Sequence, residues 1–120
     1  MFACGEIYHP CSREWASISF CLYLIDQISK GKYDRWLENF HIVVYPLLNP
    51  DGYEYSRDHD RFWRKNRNPN TKTFNPFNCQ GVDLNRNYDI DWDIGNSLDQ
   101  CSIIYAGISA FSEPESRAHR

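Results

Sequence analysis

No two of the five cysteines (Cys4, Cys11, Cys21, Cys79 and Cys101) are spaced as C-x-x-C, which removes zinc-knuckle and thioredoxin-type sites. Because five is odd, at least one thiol is left over in any disulfide scheme within a single copy. No apolar run approaches the roughly 18–20 residues of a membrane span, so no membrane partner is expected. Positive charge is not in excess either. Lys plus Arg number 13 against 16 for Asp plus Glu, a net charge of −3. A dedicated nucleic-acid binder is usually clearly basic, so no nucleic-acid partner is expected. The opening stretch "MFACGEIYHP" lacks the basic n-region and long apolar h-region of a signal peptide, and by itself names no compartment. Repeats and low-complexity tracts are missing too. What is abundant is aromatic surface, 16% of 120 residues, which suits a core of large side chains or a recognition surface. The length suits one domain.

Along the chain, "FACGEIY" (Phe2 to Tyr8) reads as a short strand. From Ser12 onward, Trp15, Ile18, Leu22, Ile25 and Ile28 recur at helical spacing, and Gly31 sits where a C-terminal cap belongs. Ser12 is the expected N-cap, which puts Glu14 in a first turn whose dipole favours an anion. "FHIVVYPLL" (Phe40 to Leu48) is a nearly unbroken apolar run of the kind buried on both faces of a sheet. Strand, helix, strand makes a βαβ unit with parallel strands and a right-handed crossover. The loops "HPCSRE" and "NPDG" then share the carboxyl edge of the sheet, where α/β folds bind ligands. The fold class expected is α/β, a mixed and partly parallel sheet flanked by helices. "NPDGYEY" reads as a turn, "NPNTKTFNPFN" as a loop and "DIDWDIGNSLDQ" as an acidic surface loop. Near the end, Ser112 and Glu115 have capping-box spacing around Pro114. The helix they begin has only eight residues left, so residues 1–120 read as one partial domain of a longer, truncated fold.

Three stretches carry chemistry. In "RFWRKNR", Arg61, Arg64, Lys65 and Arg67 surround two aromatics. That is a solvated basic face, a base-stacking surface, or a place where an arginine holds a carboxylate or polarises a carbonyl through its rigid donor fork. In "VDLNRNYD", Asn85 and Arg86 present an amide beside a cation, either a capped strand end or an anion clamp. In "HPCSREW", Cys11 and Glu14 lie three apart and share one face of a helical turn, whereas His9 and Glu14 are five apart. Two ligands do not make a zinc site, since three protein ligands plus water are the catalytic minimum. If a helix starts at Ser12, a rise of about 1.5 Å per residue keeps Cys11 and Cys21 beyond the roughly 7 Å that a disulfide spans.

Taken in order, "SREW", "NPDGYEYS", "RFWRKNR", "CQGVDLNRNYD" and "CSIIYAGISAFSEPE" resemble the zinc metallocarboxypeptidases of the carboxypeptidase A and B type. The resemblance implies the N-terminal part of that catalytic domain, an incomplete metallocarboxypeptidase fold that hydrolyses C-terminal residues from peptides with zinc. It makes Glu14 a zinc ligand and places Cys11 where the family's first zinc histidine stands, with His9 as the alternative if two residues are inserted before "REW". Arg13 falls on an arginine of the substrate groove and Arg64 on the catalytic arginine that polarises the scissile carbonyl. Asn85 and Arg86 fall on the pair that grips the terminal carboxylate, and Cys79 and Cys101 on a family disulfide. A secreted or extracellular location follows from the family. Its third zinc ligand, its substrate-covering tyrosine and its general-base glutamate lie beyond Arg120, so the chain alone is expected to be inactive.

Three readings follow: a partial peptidase whose partners are peptide C-termini, a noncatalytic relative that binds C-termini through Asn85 and Arg86, and a nucleic-acid module built on "RFWRKNR". Binding that is lost on C-terminal amidation separates the first two from the third. Hydrolysis separates the first from the second.

Overall fold

In the computed structural model, which describes residues 12–69, 79–92 and 94–120, helix α1 runs Trp15–Ser29. Its N-cap is Glu14, two residues after the expected Ser12. Ser12 is used elsewhere: its N–H donates to the Arg64 carbonyl at 3.4 Å, and its own carbonyl accepts from Ser56 Oγ at 2.9 Å. A serine whose backbone is tied to another segment is not free to adopt a cap conformation. The C-terminus is as expected. Gly31 takes φ +75° and donates its N–H to Ile28 O at 3.0 Å, the left-handed stop that a side chain disfavours.

The chain divides into two compact units, Met1–Pro10 with Glu14–Leu48, and Cys11–Arg13 with Asn49–Arg120. The first contains α1 and the one-turn helix α2, Asp34–Leu37, where Tyr33 and Trp36 stack at 4.4 Å. Cys21 is its fully buried side chain and is disulfide-bonded. Cys11, with which it was expected not to pair, lies outside the described residues, as does the strand expected at Phe2 to Tyr8. Leu22 and Ile25, expected on the buried stripe of α1, are exposed.

The expected interior strand is a correction. Residues 40–48 form no strand, Phe40 is 65% exposed and Leu47 41% exposed. Among the described residues, Ser97 and Tyr105 form an isolated parallel β-bridge. Val and Ile favour a pleated, buried surface, but a ladder also needs a neighbouring backbone to take its N–H and C=O groups. None of the described residues supplies one.

The second unit begins with α3, Pro50–Asp58. "NPDG" is therefore the start of a helix and not a turn. Asn49 is the N-cap, its Oδ1 accepts the Gly52 N–H at 3.0 Å, and Pro50 occupies the first turn, where a missing N–H costs nothing. Asn49 Nδ2 also donates to Lys65 O at 3.3 Å, which fastens α3 to "RFWRKNR". A 3₁₀ turn, Leu84–Arg86, and helix α4, Pro114–His119, complete the described elements. The N-cap of α4 is Glu113, one residue after the expected Ser112. The buried core of this unit mixes Val82, Leu84, Tyr105 and Ala106 with Asn66, Asp83, Asn87 and Glu113. Gly81, at φ +84°, lies so close to Asn66 that a Cβ would collide with the Asn66 carbonyl oxygen.

Cys79 and Cys101 are joined, with Cα atoms 4.5 Å apart across 22 residues of sequence. Closing a loop of that size is worth about 3 kcal/mol in the chain-entropy picture. A Cys79→Ser/Cys101→Ser variant is expected to lose about that much stability in thermal or urea unfolding. A loss well under 1 kcal/mol would show that the loop is held by its other contacts.

Candidate carboxylate-anchoring site

The basic residues of "RFWRKNR" are engaged within the protein. Arg61 Nη1 donates to Arg13 O at 2.9 Å. Lys65 Nζ donates to Gln100 O at 2.8 Å. Burial pushes the Lys65 pKa down, partly offset by Asp83 and Asp99. The Arg67 guanidinium lies 3.7 Å from the Tyr55 ring centre and 4.6 Å from that of Trp63, a cation held over aromatic faces. These contacts account for the alternation of cations and aromatics without a nucleic acid.

Arg64 is the central case. Its side chain is 7% exposed, its Nη2 lies 2.8 Å from Asp83 Oδ2, and its Nε donates to the same oxygen at 2.9 Å. The other Asp83 oxygen, Oδ1, accepts the Asn85 N–H at 3.2 Å and caps the 3₁₀ turn that carries Asn85 and Arg86. One fully buried carboxylate therefore fixes both the arginine expected to polarise a carbonyl and the pair expected to grip a carboxylate. Sequence reasoning passed over Asp83, although an Asp two residues before "NR" is the local signature of a capped turn.

Asn85 and Arg86 line a cavity of about 290 Å³ with Tyr88, Asp91, Trp92 and Asn96. Ligand pockets run roughly 300–1,000 Å³, so this one suits a single residue of a peptide. Arg86 Nη1 bonds the Asn85 carbonyl at 3.0 Å, which sets the plane of the guanidinium. Arg13 lies in the same unit, beside Arg61. Glu14 belongs to the first unit, as the N-cap of α1. Cys11 and His9 lie outside the described residues.

The family model described as "Zinc carboxypeptidase" matches residues 10–120. The chain belongs to the zinc carboxypeptidase family. It is 42% identical over 111 residues to "Carboxypeptidase B" of Helicoverpa zea, covering 91% of this chain and 26% of that protein. It is also 42% identical over 112 residues to "Inactive metallocarboxypeptidase ecm14" of Talaromyces stipitatus, covering 88% of this chain and 18% of that one. The solved structure of carboxypeptidase A from Helicoverpa armigera superposes with a TM-score of 0.81 at 39% identity, over 92% of this chain and 27% of that chain. The fold is thus that of part of a carboxypeptidase, and the chain spans well under half the length of these relatives.

Zinc is the cofactor of this family. Among the described residues no three His, Cys, Asp or Glu side chains converge as a metal site. Glu14 is the one expected ligand that is described, which falls short of the three a catalytic zinc needs. No helix among the described residues is long and apolar enough to cross a membrane.

In the second unit, two carboxylates converge on Asn66. Its Nδ2 donates to Glu113 Oε2 at 2.8 Å and to Glu115 Oε1 at 3.3 Å. Burial, with repulsion from Glu113 and Asp51, raises the Glu115 pKa above the usual carboxylate range, although the Asn66 bond opposes the shift. A carboxyl group whose pKa is higher folded than unfolded favours the folded state when protonated. That contribution is complete below the unfolded value, about 4.3, and is lost as pH rises through the folded one. Glu115→Gln is therefore expected to melt above the unsubstituted chain at pH 7, with the gap closing towards pH 4. A gap independent of pH would mean that Glu115 does not titrate abnormally.

Proposed function

We propose that the chain is the substrate-anchoring part of a metallocarboxypeptidase catalytic domain, which removes C-terminal residues from peptides. What carries this reading is that Asn85 and Arg86, tied through Asp83 to Arg64, line a cavity sized for one residue. In it, Arg86 and Asn85 hold the terminal carboxylate through charge-assisted hydrogen bonds. Arg64, kept in one orientation by Asp83, faces the carbonyl of the bond to be cleaved and stabilises its developing negative charge. Arg13 contributes to the groove for the preceding residues. Glu14 is the proposed metal ligand of this chain, joined by Cys11 or, in the alternative alignment, by His9. Hydrolysis belongs to the whole domain, and the 120 residues alone are expected to bind without cleaving. The partners are peptide and protein C-termini. The Cys79–Cys101 bond supports an oxidising, extracellular setting.

A second reading has its own support. The relative from Talaromyces stipitatus is named as inactive at the same 42% identity as the carboxypeptidase B. On that reading the clamp captures C-termini and no bond is broken.

Both readings rest on Arg86, and one experiment tests it. Arg86→Ala is expected to weaken binding of a free-acid peptide about tenfold to a hundredfold, the worth of a hydrogen bond to a charged group. Binding of the matching C-terminal amide should barely change. Equal losses on acid and amide would take Arg86 out of the clamp.

A further inference from the structure

The cavity beside Arg86 is also lined by residues 90–92 and 94–96, to which the clamp assigns no role. The segment is held at both ends. Trp92 Nε1 donates to Ala106 O at 3.2 Å. Ser97 donates its N–H to Ile104 O at 3.2 Å and accepts from the Ala106 N–H at 3.0 Å. Asp91, just before the first anchor, and Gly95, just before the second, are left-handed, at φ 51° and φ 69°, and Ile94 donates its N–H to Asp91 O at 2.9 Å. A non-glycine residue in that conformation is held there by its surroundings.

Two donors on residues that line this cavity are left over. Arg86 Nε and Asn96 Nδ2 are each shielded from water and make no hydrogen bond within the protein. A buried donor without an acceptor costs its full desolvation, and two on one cavity wall call for an acceptor that enters from the cavity. One of the two is cationic, so the acceptor that suits both is an anion with two oxygens. We propose that Asn96 is a further binding residue of this site, donating through its amide to the same ligand carboxylate that Arg86 holds. The inference rests on the clamp reading of Arg86 and extends it. The carboxylate is then held by two segments, the 3₁₀ turn that carries Arg86 and the stretch that carries Asn96. The exposed Ile90 and Ile94, which also line the cavity, then flank the side chain of the ligand's last residue.

The test is a titration of the ¹⁵N-labelled 120-residue chain with N-acetyl-leucine, with N-acetyl-leucinamide as the control. The Arg86 Nε–H and Asn96 Nδ2–H signals are followed by NMR. Both are expected to shift with the acid and to stay in place with the amide. If Arg86 responds and Asn96 does not, this inference falls and the clamp stands. If neither responds, both fall. A response of Asn96 to acid and amide alike would overturn the assignment to a carboxylate. Asn96→Ala is expected to weaken the acid about threefold to tenfold, the worth of one hydrogen bond. Asn96→Asp, which replaces a donor with a like charge, is expected to weaken it further. Unchanged affinity in both variants would also overturn the proposal.

Discussion

Asp83→Ala is expected to destabilise the protein by about 3–5 kcal/mol, because it leaves the Arg64 guanidinium buried without its carboxylate. Asp83 is 0% exposed and Arg64 is 7% exposed, and both Nε and Nη2 of the arginine reach Oδ2. The cost is dominated by the orphaned cation, not by the attraction that is lost. Two comparisons separate those terms. Asp83→Asn keeps one oxygen, for Arg64 or for the Asn85 N–H but not for both, and leaves the Arg64 charge without a counterion, so it should recover only part of that loss. Arg64→Met combined with Asp83→Leu removes both charges and is expected to recover most of the stability, since well-packed apolar pairs replace buried ion pairs at little cost. The double variant should still fail to bind C-terminal peptides, because Asp83 also caps the turn that presents Arg86. Urea unfolding of the unsubstituted chain, Arg64→Met, Asp83→Leu and the double variant gives the coupling energy directly. A coupling below about 1 kcal/mol would place the pair with surface salt bridges, and Arg64 would then be held by something other than Asp83.

What could be read from the sequence here was what depends on near neighbours or on motif order. Gly31 ends α1 because a left-handed residue is needed at one position and glycine supplies it. Cys79 pairs with Cys101, as the resemblance implied. "NPDG" misled because Pro, Asp and Gly are turn chemistry, whereas Asn before Pro is equally the opening of a capped helix, and the fastening of Asn49 to Lys65 favours the second. Residues 40–48 misled for another reason. An apolar run records a preference for burial, but pairing belongs to whatever lies alongside. Asn66 and Asn87 were passed over because their partners lie far away in sequence and no local pattern marks them, and the local cap signature of Asp83 says nothing of its distant partner Arg64. Of the proposed metal ligands, Glu14 caps α1 and Cys11 and His9 lie outside the described residues.

Asn87 is where the polar core is most concentrated, and Asn87→Ala should unfasten α4. The side chain is fully buried. Its Nδ2 donates to Ala106 O at 2.8 Å, Ser109 O at 3.1 Å and Ser112 Oγ at 2.8 Å. Its Oδ1 accepts from the Glu113 N–H at 3.1 Å and from Ser116 Oγ at 2.6 Å. One amide thus takes over capping of α4, the role expected of Ser112, while Ser112 Oγ turns to Glu113 Oε1 at 2.8 Å. Removing the amide strands several buried groups at about 1–3 kcal/mol each, offset by local rearrangement, for a net loss of about 3–5 kcal/mol. Asn87→Asp isolates the donor half of the effect. It keeps an oxygen for the Glu113 N–H and Ser116, loses the three bonds from Nδ2, and adds a negative charge beside the buried Glu113. It should therefore be least stable where both carboxylates are ionised, and improve as pH falls. Hydrogen exchange locates the damage. In Asn87→Ala, amides of 106–117 are expected to lose protection before those of 64–67, because the Asn66–Val82 bond at 2.9 Å does not involve Asn87. Equal loss of protection in both segments would mean that α4 and the Arg64 segment unfold as one unit, with Asn87 holding both.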